Sequence, residues 1–208
     1  QDDTGAKYGL SRAAEVALAL TIPSAVALMV IPLPLVSVLF ERGAATADDA
    51  AAIAVAVAIY GLGLPAFVLQ KVVQPVFFAR EDTRRPFHYA VVSMIVNAGL
   101  AVGLAPVIGW IAPAIATSVA AWAMVFLLWA GSRRYGDVVR FDERFRRRIW
   151  RMILASALMG LCLWIAYAAL NPFLGLPWWR ALALLILVGV GVVSYFGIGQ
   201  LIGAFQLS

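Results

Sequence analysis

Five or more continuous apolar runs in this chain reach the roughly 20 residues that an α-helix needs to cross a bilayer. Such a chain has few folds open to it. In hydrocarbon every backbone N–H and C=O must be satisfied within the protein, so only helices or a closed barrel can span. The runs do not alternate with period two, which excludes the barrel. Composition agrees: 63% of residues are hydrophobic and 13% charged, about half the charge of a soluble domain. The expected fold is all-α, a polytopic transmembrane helical bundle of about six spans.

Those spans are read at about Val16 to Phe40, Ala50 to Ala79, Phe87 to Ile108, Ile111 to Ala130, Trp150 to Leu170 and Arg180 to Phe205. This divides the chain into residues 1–130 with four spans, a basic loop at 131–149, and two terminal helices at 150–208. Repeated prolines are expected to bend or break the first span (Pro23, Pro32, Pro34) and the second (Pro65, Pro75). Gly99 with Gly103, and Gly199 with Gly203, form GxxxG pairs expected at close helix contacts. Cys162 stands alone, so no disulfide framework exists. The chain opens on Gln1 with no signal-peptide layout, and reads as a piece of a longer protein.

Basic residues set the expected orientation. Thirteen of the 16 Lys and Arg fall in the head, the 80–85 turn and the 133–151 stretch, all on one side of the spans. The other side holds only Arg42 and Arg180. By the positive-inside rule the basic side, with both termini, is cytoplasmic. Trp150, Trp178 and Trp179 stand where interfacial anchors belong. The segment from Arg140 to Arg151 reads as an amphipathic anchor for anionic lipids of the inner leaflet. Nucleic acid is not an expected partner, because the basic residues are not interleaved with stacking aromatics on a soluble surface.

Chemistry-bearing side chains are sparse. Every Asp and Glu is expected outside the spans, and the single His88 opens the third. No paired acid and base, metal cluster or phosphate-cradling loop is legible, so no catalytic residue, metal or cofactor is expected. Lys71 is the one ionisable residue deep within a span, nine residues before Arg80, or about 13 Å along the helix. Gln70 and Gln74 lie beside it, one turn apart, and make a polar patch that must face protein or water. Pro75 frees a carbonyl nearby. Two readings stand: a snorkelling lysine in a packed bundle, or a cavity-lining cation that attracts an anionic headgroup.

The turn from Arg80 to Pro86 has two readings as well. It is a topogenic hairpin, or a cytoplasmic latch whose ion pairs form in one conformation and break in another, with Arg80, Asp82, Arg84 and Pro86 as gating candidates. Ser93 and Asn97 in the third span, with Thr117 and Ser118 in the fourth, are placed to hydrogen-bond between helices. The competing reading is a small cation site of Asn97, Thr117 and backbone carbonyls.

The stretch from Lys71 to Pro86, KVVQPVFFAREDTRRP, resembles the MurJ/MviN family of lipid II flippases in the order K-V-x-x-P-x-F-F-A-R-x-D-T-R-x-P. A second segment has the same family spacing: TIPSAVAL from Thr21 to Leu28, Pro34 and Leu35, then LFERG from Leu39 to Gly43, Thr46 and Asp48. The resemblance implies the C-terminal part of a flippase of the MOP exporter superfamily, about the last six of some fourteen spans. It implies a bacterial inner-membrane protein that moves lipid II, the undecaprenyl-pyrophosphate-linked peptidoglycan precursor, for cell-wall synthesis. Its implied partners are lipid II, anionic membrane lipids and an N-terminal lobe of the same protein. In the family the cavity is formed mainly by preceding spans, and the last two spans carry an apolar groove for the lipid tail. The residues themselves leave open an exporter of other polyprenyl-linked sugars or amphipathic drugs, and a non-transporting membrane scaffold.

Overall fold

The computed structural model describes residues 3–41, 46–139, 143–174 and 179–203. Expectations placed on Arg42, Gly43, Arg140, Trp178 and Phe205 lie outside the described residues. Seven α-helices follow in order: α1 (Asp3–Val30), α2 (Pro32–Phe40), α3 (Ala47–Phe78), α4 (Arg84–Ile108), α5 (Ala112–Ser132), α6 (Glu143–Leu174) and α7 (Arg180–Leu201). Two 3₁₀ segments, Gly109–Ile111 and Arg133–Val139, complete the described residues, which contain no strand.

Five stretches are long and apolar enough to cross a membrane, and one of them, Arg84–Gly136, runs through both α4 and α5. Six helices of crossing length result, as the apolar runs predict. The boundaries move. α1 begins at Asp3 rather than near Val16, and α6 begins at Glu143 rather than Trp150. Glu15 therefore lies inside a membrane-length helix, contrary to the expectation that no carboxylate would.

The prolines act unequally. Pro23, Pro65 and Pro75 sit within continuous helices. The one break falls at Ile31 (φ −123°, ψ 43°), immediately before Pro32, where the proline ring disfavours helical backbone in the preceding residue.

Two compact units interleave along the chain. Unit 1 comprises residues 1–21 and 62–149, and unit 2 residues 22–61 and 150–208. In unit 1, α4 and α5 form an antiparallel hairpin: Ser93 donates to the Ala120 carbonyl (2.8 Å), while Asn97, one turn later, meets Thr117, one turn earlier (3.5 Å). α3 runs parallel to α5, because Gly63 faces Ser118 while Phe77, further along, packs with Met124 and Leu128. A Cβ at Gly63 would lie 2.9 Å from the Ser118 hydroxyl oxygen, so glycine lets these two helices approach closely.

Unit 2 packs around Ile31, Ala155, Met159, Leu163, Leu187 and Tyr195. α6 and α7 are antiparallel there, with Gly191 against Leu163 and the Arg151 guanidinium donating to the Gly203 carbonyl (3.1 Å). The GxxxG expectation fails for Gly99 and Gly103, which are exposed with nothing within 4 Å of an added Cβ. Close contacts fall instead at isolated glycines, because spacing of small residues does not say which helix face is covered.

Candidate functional site

The turn between α3 and α4 is built by its backbone first. Asp82 N–H bonds the Phe77 carbonyl and Glu81 N–H bonds the Phe78 carbonyl, both at 3.0 Å. This double closure stops a helix when the residue after the cap turns left-handed. Glu81 does so, with φ +57°, the single non-glycine residue with positive φ among the described residues. Asp82 then emerges at the start of α4. Its Oδ1 accepts from the Arg85 backbone N–H at 3.3 Å, a carboxylate placed where the helix dipole favours it.

The same carboxylate joins the end of α5. Tyr135 donates its hydroxyl to Asp82 Oδ2 at 2.6 Å, and the Arg85 guanidinium reaches Oδ2 at 2.8 Å and the Tyr135 oxygen at 3.1 Å. The Arg80 guanidinium lies 4.8 Å from the centroid of the Tyr135 ring, and Phe77 meets that ring edge-on at 5.4 Å. The Tyr135 hydrogen bond holds the Asp82 carboxyl below its usual 3.8; partial desolvation opposes this, and Arg85 adds to it. Asp82, Arg85 and Tyr135 thus form one closed triangle, braced by Arg80 and Phe77.

Of the gating candidates, Asp82 and Arg80 are in this cluster. Pro86 is buried beside it in α4, and Arg84 is exposed, its carbonyl contacted by His88 Nδ1 at 2.6 Å. Tyr135 and Arg85 were not singled out by the sequence. Tyr135 lies 53 positions from Asp82, and its one local signal is an aromatic among arginines at a helix end.

The polar patch on α3 divides. Gln70 donates to the Ala121 carbonyl of α5 at 3.0 Å. Lys71, about 100° around the helix, is exposed. Gln74 is half-buried between them in exposure. Asn97 donates to the Thr117 hydroxyl, which itself donates to the Pro113 carbonyl at 2.7 Å.

A second polar cluster went unread in the sequence. Glu15 on α1 is 5% exposed and accepts from both Arg12 and Arg148 at 3.0 Å. Arg148 lies in the first turns of α6, so this pair fastens α6 to α1 within unit 1. Leu10, one turn before Ala14, packs on Val72 and Val76 of α3. The first half of α1, the end of α3, the start of α4, the stretch after α5 and the start of α6 thus carry the polar clusters of unit 1.

These features define a polytopic helical membrane protein whose charged side chains gather where its helices begin and end. The profile of the family "Lipid II flippase MurJ" matches residues 1–188. The chain is 38% identical over 202 residues to a probable lipid II flippase MurJ of Rhizobium tropici, covering 95% of this chain and 37% of that protein. It is 40% identical over 201 residues to the Rhizobium meliloti protein of the same name, with the same coverage. A solved structure, "Lipid II flippase MurJ, inward closed conformation", superposes with a TM-score of 0.78 at 25% identity, over 96% of this chain and 40% of that one. The chain belongs to the lipid II flippase MurJ family, and spans a little over one third of the length of these relatives.

Proposed function

We propose that this chain is the C-terminal part of a lipid II flippase, which carries the undecaprenyl-pyrophosphate-linked precursor from the cytoplasmic to the outer leaflet of the bacterial inner membrane. The observation that carries this is 38–40% identity to probable lipid II flippases across 95% of the chain. Translocation, with no covalent chemistry on the lipid, is the activity. The obstacle is moving a charged polar head through hydrocarbon while the tail stays in lipid. A cationic cavity opening alternately to each side overcomes it, formed together with an N-terminal lobe of the same protein.

In this reading the polar end of unit 1 faces the cytoplasm, as do both termini, and the basic 131–149 stretch rests on anionic headgroups. Gln70 ties α3 to α5 while Lys71 presents its ammonium to the cavity. The Asp82–Arg85–Tyr135 triangle is the latch that favours one conformation. Asn97 and Thr117 join α4 to α5, with a small cation as their alternative occupant.

The test is complementation of a strain depleted of its own flippase, using the full-length protein, with lipid II at the outer leaflet as the readout. Restored outer-leaflet lipid II is expected. Transport of another polyprenyl-linked sugar without lipid II would overturn the assignment. In the same assay Lys71→Ala is expected to lower transport more than Arg144→Ala or Arg147→Ala. The reverse order would return Lys71 to a snorkelling role.

A further inference from the structure

Unit 1 carries a groove that the proposed translocation does not use. It lies between α3 and α5, holds about 340 Å³, and is lined by Leu69, Val73, Trp122, Val125, Phe126 and Trp129. That volume is within the roughly 300–1,000 Å³ of ligand clefts. Every lining side chain is apolar. Trp122 and Trp129 are two turns apart on α5, so the groove extends about 10 Å along the helix. Trp122 is fixed by donating its indole N–H to the Leu62 carbonyl at 2.9 Å.

The other end is charged. The Arg133 guanidinium stacks over the Trp129 ring at 4.4 Å, and both Arg133 and Arg134 are exposed. A guanidinium held over an indole ring retains N–H donors for an anion. Arg133 makes no hydrogen bond or ion pair among the described residues. An apolar channel about two turns long thus ends at the exposed Arg133, with the exposed Arg134 next in the chain.

We propose that this groove binds one acyl chain of an anionic phospholipid, with the phosphate held by Arg133 and Arg134 nearby. The charge at the channel mouth selects the headgroup, and the two indoles hold the chain. A neutral helix docked in the same groove would leave those arginines without a counterion. The site needs no assumption about what the protein transports.

The experiment is native mass spectrometry of the full-length protein in detergent, with phosphatidylglycerol or phosphatidylcholine of the same chains added. Phosphatidylglycerol is expected to be retained about fivefold more, the leverage of about one arginine near a membrane surface. Arg133→Gln should abolish that preference, and Val125→Trp, which fills the groove, should lower retention of both lipids. A second measurement is independent of that filling variant. Phosphatidylglycerol with brominated chains should quench tryptophan fluorescence, and Trp122→Phe with Trp129→Phe should remove most of the quenching. Equal retention of the two lipids, or quenching unaltered by losing both tryptophans, would overturn the site. So would displacement of the lipid by polyprenyl pyrophosphate, which would assign the groove to substrate, or a groove closed to any lipid by an upstream helix.

Discussion

Unit 1 and unit 2 are held by different forces. In unit 1 the helix ends are tied by directed polar contacts: Tyr135 to Asp82 at 2.6 Å, Arg85 to Asp82 at 2.8 Å, and Arg148 to Glu15 at 3.0 Å. Unit 2 is centred on Ile31, Met159, Leu163, Leu187 and Tyr195, all buried, with Arg151 and Arg180 bonded to backbone carbonyls at the margins. Lipid tails are as apolar as leucine, so no hydrophobic force draws membrane helices together. Close packing then sets how firmly a unit holds. Partly exposed polar contacts such as Arg85 to Asp82 add little to that firmness, whereas the largely buried Arg148–Glu15 pair adds more. Unit 2 is accordingly the rigid half in this comparison, and the polar corner of unit 1 the adjustable one.

The largest expected effect tests the packed half. Leu163 is 1% exposed, and Leu163→Ala should cost about 3 kcal/mol through lost contacts and the cavity left behind. Thermal unfolding of the full-length protein in detergent reads this as a drop in Tm. A loss under about 1 kcal/mol would mean that unit 2 collapses to fill the space and is not rigid. Next comes Glu15→Ala, which strands the largely buried Arg148. About 2 kcal/mol is expected, below the usual loss for a fully buried pair because Arg12 is partly exposed. Arg148→Gln should cost a similar amount, and the double variant less than the two combined. Strict additivity would dissolve the pair as a unit.

Tyr135→Phe should do the opposite of Leu163→Ala: leave Tm unchanged and lower transport by about fivefold, one hydrogen bond's leverage on a two-state equilibrium. A fall in Tm with unaltered transport would make the corner a structural joint. The pH dependence has a definite sign. The folded-state pKa of Asp82 is depressed by Tyr135 and Arg85, so its contribution is complete above the usual carboxylate value and is lost only as pH falls through the depressed one. The corner should therefore be indifferent to pH between about 5 and 8. An Asp82-dependent transition in that window, abolished by Asp82→Asn, would contradict this. The smallest effect is a gain. Glu81→Gly relieves a left-handed residue and should add about 0.5 kcal/mol to stability.

Much of the fold was legible because hydrocarbon imposes one rule on every span. Length and continuity of apolar runs located six helices, and the proline before which α1 breaks was visible as Pro32. What hid were the partners. Asp82 announces itself as a helix start, yet its strongest bond goes to Tyr135 at the far end of the next hairpin, and no local pattern pairs them. Glu15 read as a residue just outside a span because hydropathy falls near Arg12 and Glu15. The helix continues through both, since the Glu15 carboxylate accepts from Arg12 and from Arg148. Gly99 and Gly103 misled for the converse reason: small residues permit a close contact without requiring one. Lys71 and Gln70 are neighbours in the chain but face different surroundings, a distinction of about 100° that only the packing of α3 on α5 resolves.

Side-specific labelling tests the polar corner most directly. Arg134→Cys, placed in a full-length protein with Cys162→Ser and every other cysteine replaced, puts one thiol beside Tyr135. If this end of unit 1 faces the cytoplasm, a membrane-impermeant maleimide will label it in inside-out vesicles and leave it untouched in intact spheroplasts. Labelling from the outside of spheroplasts would invert the chain in the membrane and contradict the proposed cytoplasmic latch.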